Sequence, residues 1–325
     1  MNDQLIYIIF SIVIVVALVL DLGLLSKKNA VITTKAALIQ TIFWVSLSCA
    51  FCAFIWYVHG KEDAVMYISA YLLEWSLSID NIFVFIIIFS FFKVKPSNYS
   101  RVLLLGILMA IVFRIAFIAL GSELVARFDW IMYVFGVFLI YTGIKMFSSN
   151  EEEEFNPEES WAFRMMKKFF RTTNEEPDGK FFIKRDNKTY LTKLAMVVIM
   201  LGLIDIVFAI DSIPAVFSII PDPADKLLIY SSNIFAVLGL RSLFFLLRGA
   251  AEKFSYLQQG IAIVLLFIGA KMIAEAWIPH VPVWASLLVI VVCIGGSILY
   301  SIYRNKKTVV LPEETDPTNS RNTIQ

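Results

Sequence analysis

Glu74-Trp-Ser-Leu-Ser-Ile-Asp80-Asn81 lies inside an apolar run from Ala64 to Phe92, and Asp205-Ile-Val-Phe-Ala-Ile-Asp211-Ser212 lies inside another from Leu194 to Ile220. In each, an acid is followed six positions later by an aspartate and then by a small polar residue. An ionised carboxylate at bilayer depth costs about 2.5 kcal/mol or more, so it seldom occurs there without a partner or a task. Four such acids in a matched pattern point to a site.

The surrounding chain supports reading these runs as membrane spans. Of its 325 residues 59% are apolar and the mean hydropathy is +0.76, whereas soluble domains hold about 45–50% apolar residues. Runs of roughly 20 apolar residues mark transmembrane helices. They place nine spans, at Leu5 to Leu25, Ala36 to Val58, Ala64 to Phe92, Val102 to Gly121, Trp130 to Phe147, Leu194 to Ile220, Leu227 to Leu247, Tyr256 to Ala276 and Val283 to Tyr303. The fold class read from this is an all-α polytopic membrane protein. Asp3 and the lack of a basic N-terminal flank distinguish the first span from a signal peptide, so it is read as a retained helix.

Lys27, Lys28, Lys35, Lys93, Lys95, Arg101, Arg248, Lys253, Arg304, Lys306 and Lys307 fall on alternate connections, while the opposite ones carry Lys61, Arg127 and Lys226. The positive-inside rule then puts the N-terminus outside and the C-terminus in the cytoplasm. Trp44, Trp56, Trp130, Trp277 and Trp284 fall near span ends and are expected to anchor at the headgroup level. The connection from Ser148 to Lys193 opens with Glu151 to Glu154 and then turns basic, with Trp161, Phe163, Phe169 and Phe170 between its cations. It reads as a solvated cytoplasmic linker, or as an amphipathic segment on the inner membrane face.

Aligning the two acidic motifs brings further landmarks into register. Asp80 leads to Arg114 and then Lys145; Asp211 leads to Arg241 and then Lys271, each lysine within a Gly-x-Lys-Met sequence. Acid, arginine and lysine thus recur once per span. The chain therefore holds two homologous three-helix units, and an odd number of crossings turns the second over, giving the inverted repeat common in secondary transporters. The expected organisation is two N-terminal helices (1–63), repeat 1 (64–147), the linker (148–193), repeat 2 (194–276), a last helix (277–308) and a disordered tail (309–325). Asp21 at the inner end of span one is read as capping that helix or pairing with Lys27 or Lys28. Lys145 and Lys271 are expected to snorkel to the interface.

On an unbroken helix Asp205 and Ser212 share a face, as do Glu74 and Asn81, while Asp80 and Asp211 turn about 120° away from the preceding acid. One ion could see all of them only if the helices unwound. Pro214 supplies a cause in the second motif, because it leaves the Ile210 carbonyl without its helical partner. The expected metal site comprises Asp80, Asp211, Asn81, Ser212, Glu74 and Asp205, with Arg114 and Arg241 as charge-compensating residues. All-oxygen ligands suit Mg²⁺, Ca²⁺ or Mn²⁺ rather than Zn²⁺ or copper, and the only histidines are His59 and His280. A thioether from Met66 or Met200 would favour Mn²⁺ over Ca²⁺. Cys49-x-x-Cys52 within an apolar span reads as packing, and a phosphate-binding loop that would mark an ATP-driven pump is missing.

These motifs resemble the two signatures of the TerC/Alx family of integral membrane proteins, the second extending through Ser212-Ile-Pro214. Asp-Leu-Gly at 21–23 and the nine-span layout carry the similarity over nearly the whole chain. The resemblance implies a non-enzymatic, multi-pass protein of the bacterial cytoplasmic membrane engaged in metal homeostasis. Its partners would be the bilayer and a transported Mn²⁺, with no resident cofactor and no nucleic acid. It carries functional roles onto Glu74, Asp80, Asn81, Asp205, Asp211 and Ser212. Competing readings are a Ca²⁺ exporter and a scaffold or metal sensor that moves nothing. An intramembrane aspartyl protease fits less well, since Asp80 and Asp211 each follow isoleucine rather than the Tyr-Asp or Gly-Asp of such enzymes.

Overall fold

A computed structural model of the chain describes residues 3–23, 32–128, 130–148, 157–173, 179–185, 188–222, 224–248, 256–274 and 282–308. Among these, nine long helices stand where the nine spans are expected: α1 (Asp3–Gly23), α2 (Thr34–Val58), α3 (Lys61–Phe91), α4 (Pro96–Arg127), α5 (Ile131–Ser148), α7 (Lys193–Ile219), α8 (Lys226–Leu247), α9 (Leu257–Ala274) and α10 (Val283–Thr308). Eight of them, α2 to α5 and α7 to α10, are long and apolar enough to cross a membrane, and the described apolar part of α1 is Ile6–Val19. The chain is an all-α polytopic membrane protein apart from one small hairpin. The expectations for the 309–325 tail and for Trp277 fall outside the described residues, as do the side chains of Asp21 and Asp80.

Local chemistry sets the helix ends. Pro96 opens α4 after an extended Lys95, the helix position where a missing N–H costs nothing. Gly60 joins α2 to α3 at φ 107°, a left-handed conformation that disfavours any residue with a Cβ.

α3 packs along α8, α4 along α7 and α5 along α9; α3 also meets α7, and α2 covers α8. Along the α5–α9 seam the two backbones approach closely at glycines. A Cβ at Gly269 would stand 2.6 Å from the Gly136 carbonyl oxygen, and one at Gly136 would stand 3.0 Å from the Gly269 carbonyl. Membrane helices, without a hydrophobic drive to associate, use such small residues to approach closely. Gly269→Val is expected to cost about 1–3 kcal/mol through overpacking, read as a lower melting temperature in detergent.

Three expectations are corrected. The unwinding expected at Pro214 does not occur: α7 is one continuous helix through the proline, as α3 is through its acidic motif. The proline removes one helical hydrogen bond, but Ser212 to Ile219 are all buried, and packing on neighbouring helices holds the path. Trp44 is 1% exposed in mid-helix, so it is core rather than an interface anchor; Trp56, Trp130 and Trp284 are exposed near helix ends. The 148–193 connection is more than a solvated linker. It contains a 3₁₀ turn (Pro157–Glu159), helix α6 (Trp161–Phe169) and the antiparallel strands β1 (Phe182–Arg185) and β2 (Lys188–Leu191).

A buried arginine cluster and a polar cavity in the bundle

Arg114 reaches from the middle of α4 into the interior, where it is 1% exposed. Its fork meets the Asp205 carboxylate of α7 twice, Nε donating to Oδ2 at 3.2 Å and Nη2 to Oδ1 at 3.2 Å. Nη1 donates to Glu74 Oε1 from α3. The same nitrogen lies 3.4 Å from Ser212 Oγ and 3.3 Å from Asn233 Oδ1 of α8. The Asn233 amide is itself oriented by donating to the Ile229 carbonyl at 2.9 Å. Bidentate pairing of this kind suits guanidinium geometry and is stronger than a neutral hydrogen bond. Glu74 and Asp205 are both fully buried, and the second Glu74 oxygen, Oε2, is buried with no hydrogen-bond partner. Two carboxylates therefore face one guanidinium.

Because α7 is regular, Asp211 turns away from that cluster, about 9 Å along the axis from Asp205 at 1.5 Å per residue. It is half-buried and accepts a hydrogen bond from Thr142 Oγ1 of α5 at 3.1 Å. Asp211 lines a cavity of about 240 Å³ together with Asn81, Thr142, Lys145, Met146 and Gln258. That volume far exceeds the roughly 10–15 Å³ a single water needs, so the cavity can hold a hydrated cation.

The six expected ligands thus do not converge on one ion. Glu74, Asp205 and Ser212 gather on Arg114, Asn81 and Asp211 share the cavity, and the side chain of Asp80 is not among those described. Among the described residues, no three acids, histidines or cysteines are close enough to hold a metal between them. The physical reason is the intact helix: with no unwinding at Pro214, residues 205 and 212 stay on one face and 211 on another. Arg241 is buried and donates to Ser100 Oγ at 2.9 Å, so it does not take the place beside Glu74 and Asp205 that Arg114 takes. Lys145 is exposed, but Lys271 is 6% exposed and donates to the Ser218 carbonyl at 2.8 Å. Lys271 therefore caps the C-terminal end of α7, where a cation is favoured, instead of snorkelling. Cys49 and Cys52 are free, and Cys52 Sγ donates to the Ala64 carbonyl at 3.5 Å, a packing contact.

Asn233, Thr142, Met146 and Gln258 do not stand out in the sequence as site residues. Asn233 carries a readable signal, a lone amide in an apolar span. Thr142 and Met146 lie in the Thr-Gly-Ile-Lys-Met stretch of α5, where the lysine draws attention away from its neighbours.

The description "Integral membrane protein TerC family" belongs to the family model that matches residues 59–309. The chain belongs to the TerC family. A Myxococcus xanthus relative, "Uncharacterized membrane protein STKORF319", is 41% identical over 90% of each chain. A Rickettsia felis relative, also an uncharacterized membrane protein, is 41% identical over 92% of this chain and 97% of its own. The Escherichia coli K12 protein named "Putative membrane-bound redox modulator Alx" is 39% identical over 86% of this chain and 89% of its own. No solved structure matches. This TerC chain is therefore an integral, multi-pass membrane protein with bacterial relatives.

At the opposite end of the bundle, a second cavity of about 1000 Å³ is lined by His59, Glu62, Asp222, Asp225, Lys271 and Met66, among others. Burial raises the Asp225 pKa above the ordinary aspartate value, Asp222 and Asp63 raise it further, and His59 opposes them. A raised pKa means that the folded state holds the proton more tightly than the unfolded chain. Folding stability is then lost as pH rises from the ordinary value of about 3.9 through the raised one. Asp225→Asn is expected to flatten the fall in melting temperature over that window, measured by thermal scans at stepped pH.

Proposed function

We propose that this TerC chain is a secondary transporter that exports a divalent cation, Mn²⁺ foremost, across the bacterial cytoplasmic membrane, by alternating access of two inverted three-helix units, α3–α5 and α7–α9. The observation that carries the reading is the meeting of Glu74 and Asp205, from the first helix of each unit, on one buried arginine, with Glu74 Oε2 unpartnered. One positive charge against two acids leaves the cluster short of a cation. Static packing needs no such deficit.

The cavity beside it supplies a way in. It lies toward the C-terminal end of α5 and the N-terminal end of α9, which the distribution of Lys and Arg assigns to the cytoplasm. Asp211, Asn81 and Gln258 offer oxygens there, and the Asp211 carboxylate is held in place by Thr142. The cavity at the far end, where Glu62, Asp222 and Asp225 outnumber Lys61 and Lys271, would be the exit. A cation drawn to Glu74 and Asp205 competes with Arg114 for the same oxygens. Occupancy then biases which packing of the two units is stable.

Met146 supports Mn²⁺ over the equally oxygen-loving Ca²⁺. Met146 lines the inner cavity, and soft ligands weigh against Ca²⁺ and Mg²⁺. Met146→Leu is expected to reduce the preference for Mn²⁺ over Ca²⁺ roughly tenfold, about 1.4 kcal/mol of discrimination, in competition uptake assays.

One observation favours a second reading, a scaffold or metal sensor that transports nothing: the bidentate Arg114–Asp205 pair is satisfied without a metal. Purified protein in liposomes separates the two. Uptake is compared for Mn²⁺, Ca²⁺, Mg²⁺ and Zn²⁺ under an imposed pH gradient. Vesicle accumulation of Mn²⁺ above protein-free controls is the expected result; metal bound to the protein without accumulation would reject transport.

A further inference from the structure

We propose that the module formed by residues 157–173, 179–185 and 188–191 is a docking surface for anionic phospholipid headgroups of the leaflet beside it. α6 is strongly amphipathic, but its apolar stripe is already used: Ala162, Phe163 and Met166 are buried, with Phe163 against Phe92 at the end of α3 (ring centroids 6.2 Å apart) and α6 packed on α7. What it leaves exposed is not an ordinary polar face. Trp161 (48%), Phe169 (64%), Phe170 (48%) and, from the hairpin, Phe182 (60%) stand in the open, interleaved with exposed Arg164, Lys168, Arg171 and Lys184. Lys168 Nζ lies 5.7 Å from the Phe169 ring centroid. Aromatic rings beside cations are the side-chain chemistry of the headgroup level, apolar body inward and charge toward phosphate.

The module carries a net positive charge. Residues 157–191 carry eight cations, Arg164, Lys167, Lys168, Arg171, Lys180, Lys184, Arg185 and Lys188, against six acids, Glu158, Glu159, Glu175, Glu176, Asp178 and Asp186. The surface is also held firmly to the bundle. Arg101 of α4 donates to the Gly179 carbonyl at 3.0 Å and lies 4.5 Å from the Phe181 ring centroid. Thr192, the residue before α7, donates through Oγ1 to the Lys180 carbonyl at 2.6 Å. The platform is therefore fixed at the very helix ends that leave the bilayer, so lipid headgroups are its nearest neighbours. Its excess of cations is complementary to an anionic leaflet.

The test uses the full chain with Cys49, Cys52 and Cys293 replaced by serine and a spin label attached through Phe169→Cys, or in a second preparation through Trp161→Cys, should the first fail to fold. Collision with oxygen, which partitions into lipid, is compared with collision with a water-soluble nickel chelate. Nanodiscs contain either phosphatidylcholine alone or a 3:1 mixture with phosphatidylglycerol. The expected result is a label favoured by oxygen in the mixed discs, moving toward the aqueous ratio in phosphatidylcholine alone and when Lys167 and Lys168 are changed to glutamine. A water-like ratio in mixed discs would overturn the proposal. So would equal insertion in both lipids, and so would shielding from both agents, the mark of a protein partner or a second copy.

Discussion

Asp211→Asn is expected to insert and melt like the parent protein yet to lose Mn²⁺ transport by a factor of about 100 or more. The substitution keeps the shape and leaves an amide oxygen to accept from Thr142 Oγ1, the contact Asp211 makes now, so the α5–α7 packing survives. What disappears is a unit of negative charge on the wall of the inner cavity. Two unit charges 4 Å apart interact by about 4 kcal/mol at an effective dielectric near 20. A divalent ion feels twice that before its desolvation is subtracted, so a net loss of about 2.7 kcal/mol, two decades in affinity, is a modest expectation. Asp80→Asn is the matching variant in the first acidic motif. Proteoliposome uptake that stays at the parental rate in both would end the case for these aspartates as cation ligands.

Arg114→Met is expected to be the most destabilising single change in the molecule. Removing one partner of a buried ion pair costs about 3–5 kcal/mol, because the surviving charges are left uncompensated, and here two carboxylates share the loss. The sharper outcome concerns rescue. In the triple variant Glu74→Gln, Asp205→Asn, Arg114→Met no charge remains to bury, and much of the melting temperature should return, since neutral replacements of buried ion clusters are often harmless to folding. Transport should not return with it. A triple variant that melts as low as the single one would show that Arg114 holds the bundle by its shape and not by its charge. One that transports normally would show that the cluster is structural.

The fold was legible because it depends on additive signals. Nine runs of apolar residues of bilayer length predict nine helices, and their order along the chain matches α1 to α5 and α7 to α10. That an arginine would balance Glu74 and Asp205 was legible too, since charges in apolar spans have few partners available, but not that Arg114 would take both acids while Arg241 reaches Ser100. The division of the acids was not. Whether residues 205 and 211 face one ion or two different neighbours depends on whether α7 bends at Pro214. That is decided by the packing of the residues after it, a tertiary effect with no signature in spacing. Lys271 escaped for a similar reason. In sequence it is indistinguishable from Lys145, and only the neighbouring end of α7, with its open carbonyl at Ser218, makes one of them buried and the other exposed.

That lysine also works as a fastening. A helix whose last turn is clasped by an ammonium from its neighbour cannot slide past it without breaking the clasp, so the end of α7 is tied to α9. Lys145, in the other Gly-x-Lys-Met sequence, is exposed instead. Any movement between α7 and α9 must first release the Lys271 grip, whereas a slide of α5 along α9 must carry Ile140, Leu266 and Ile273 past the glycines they sit on.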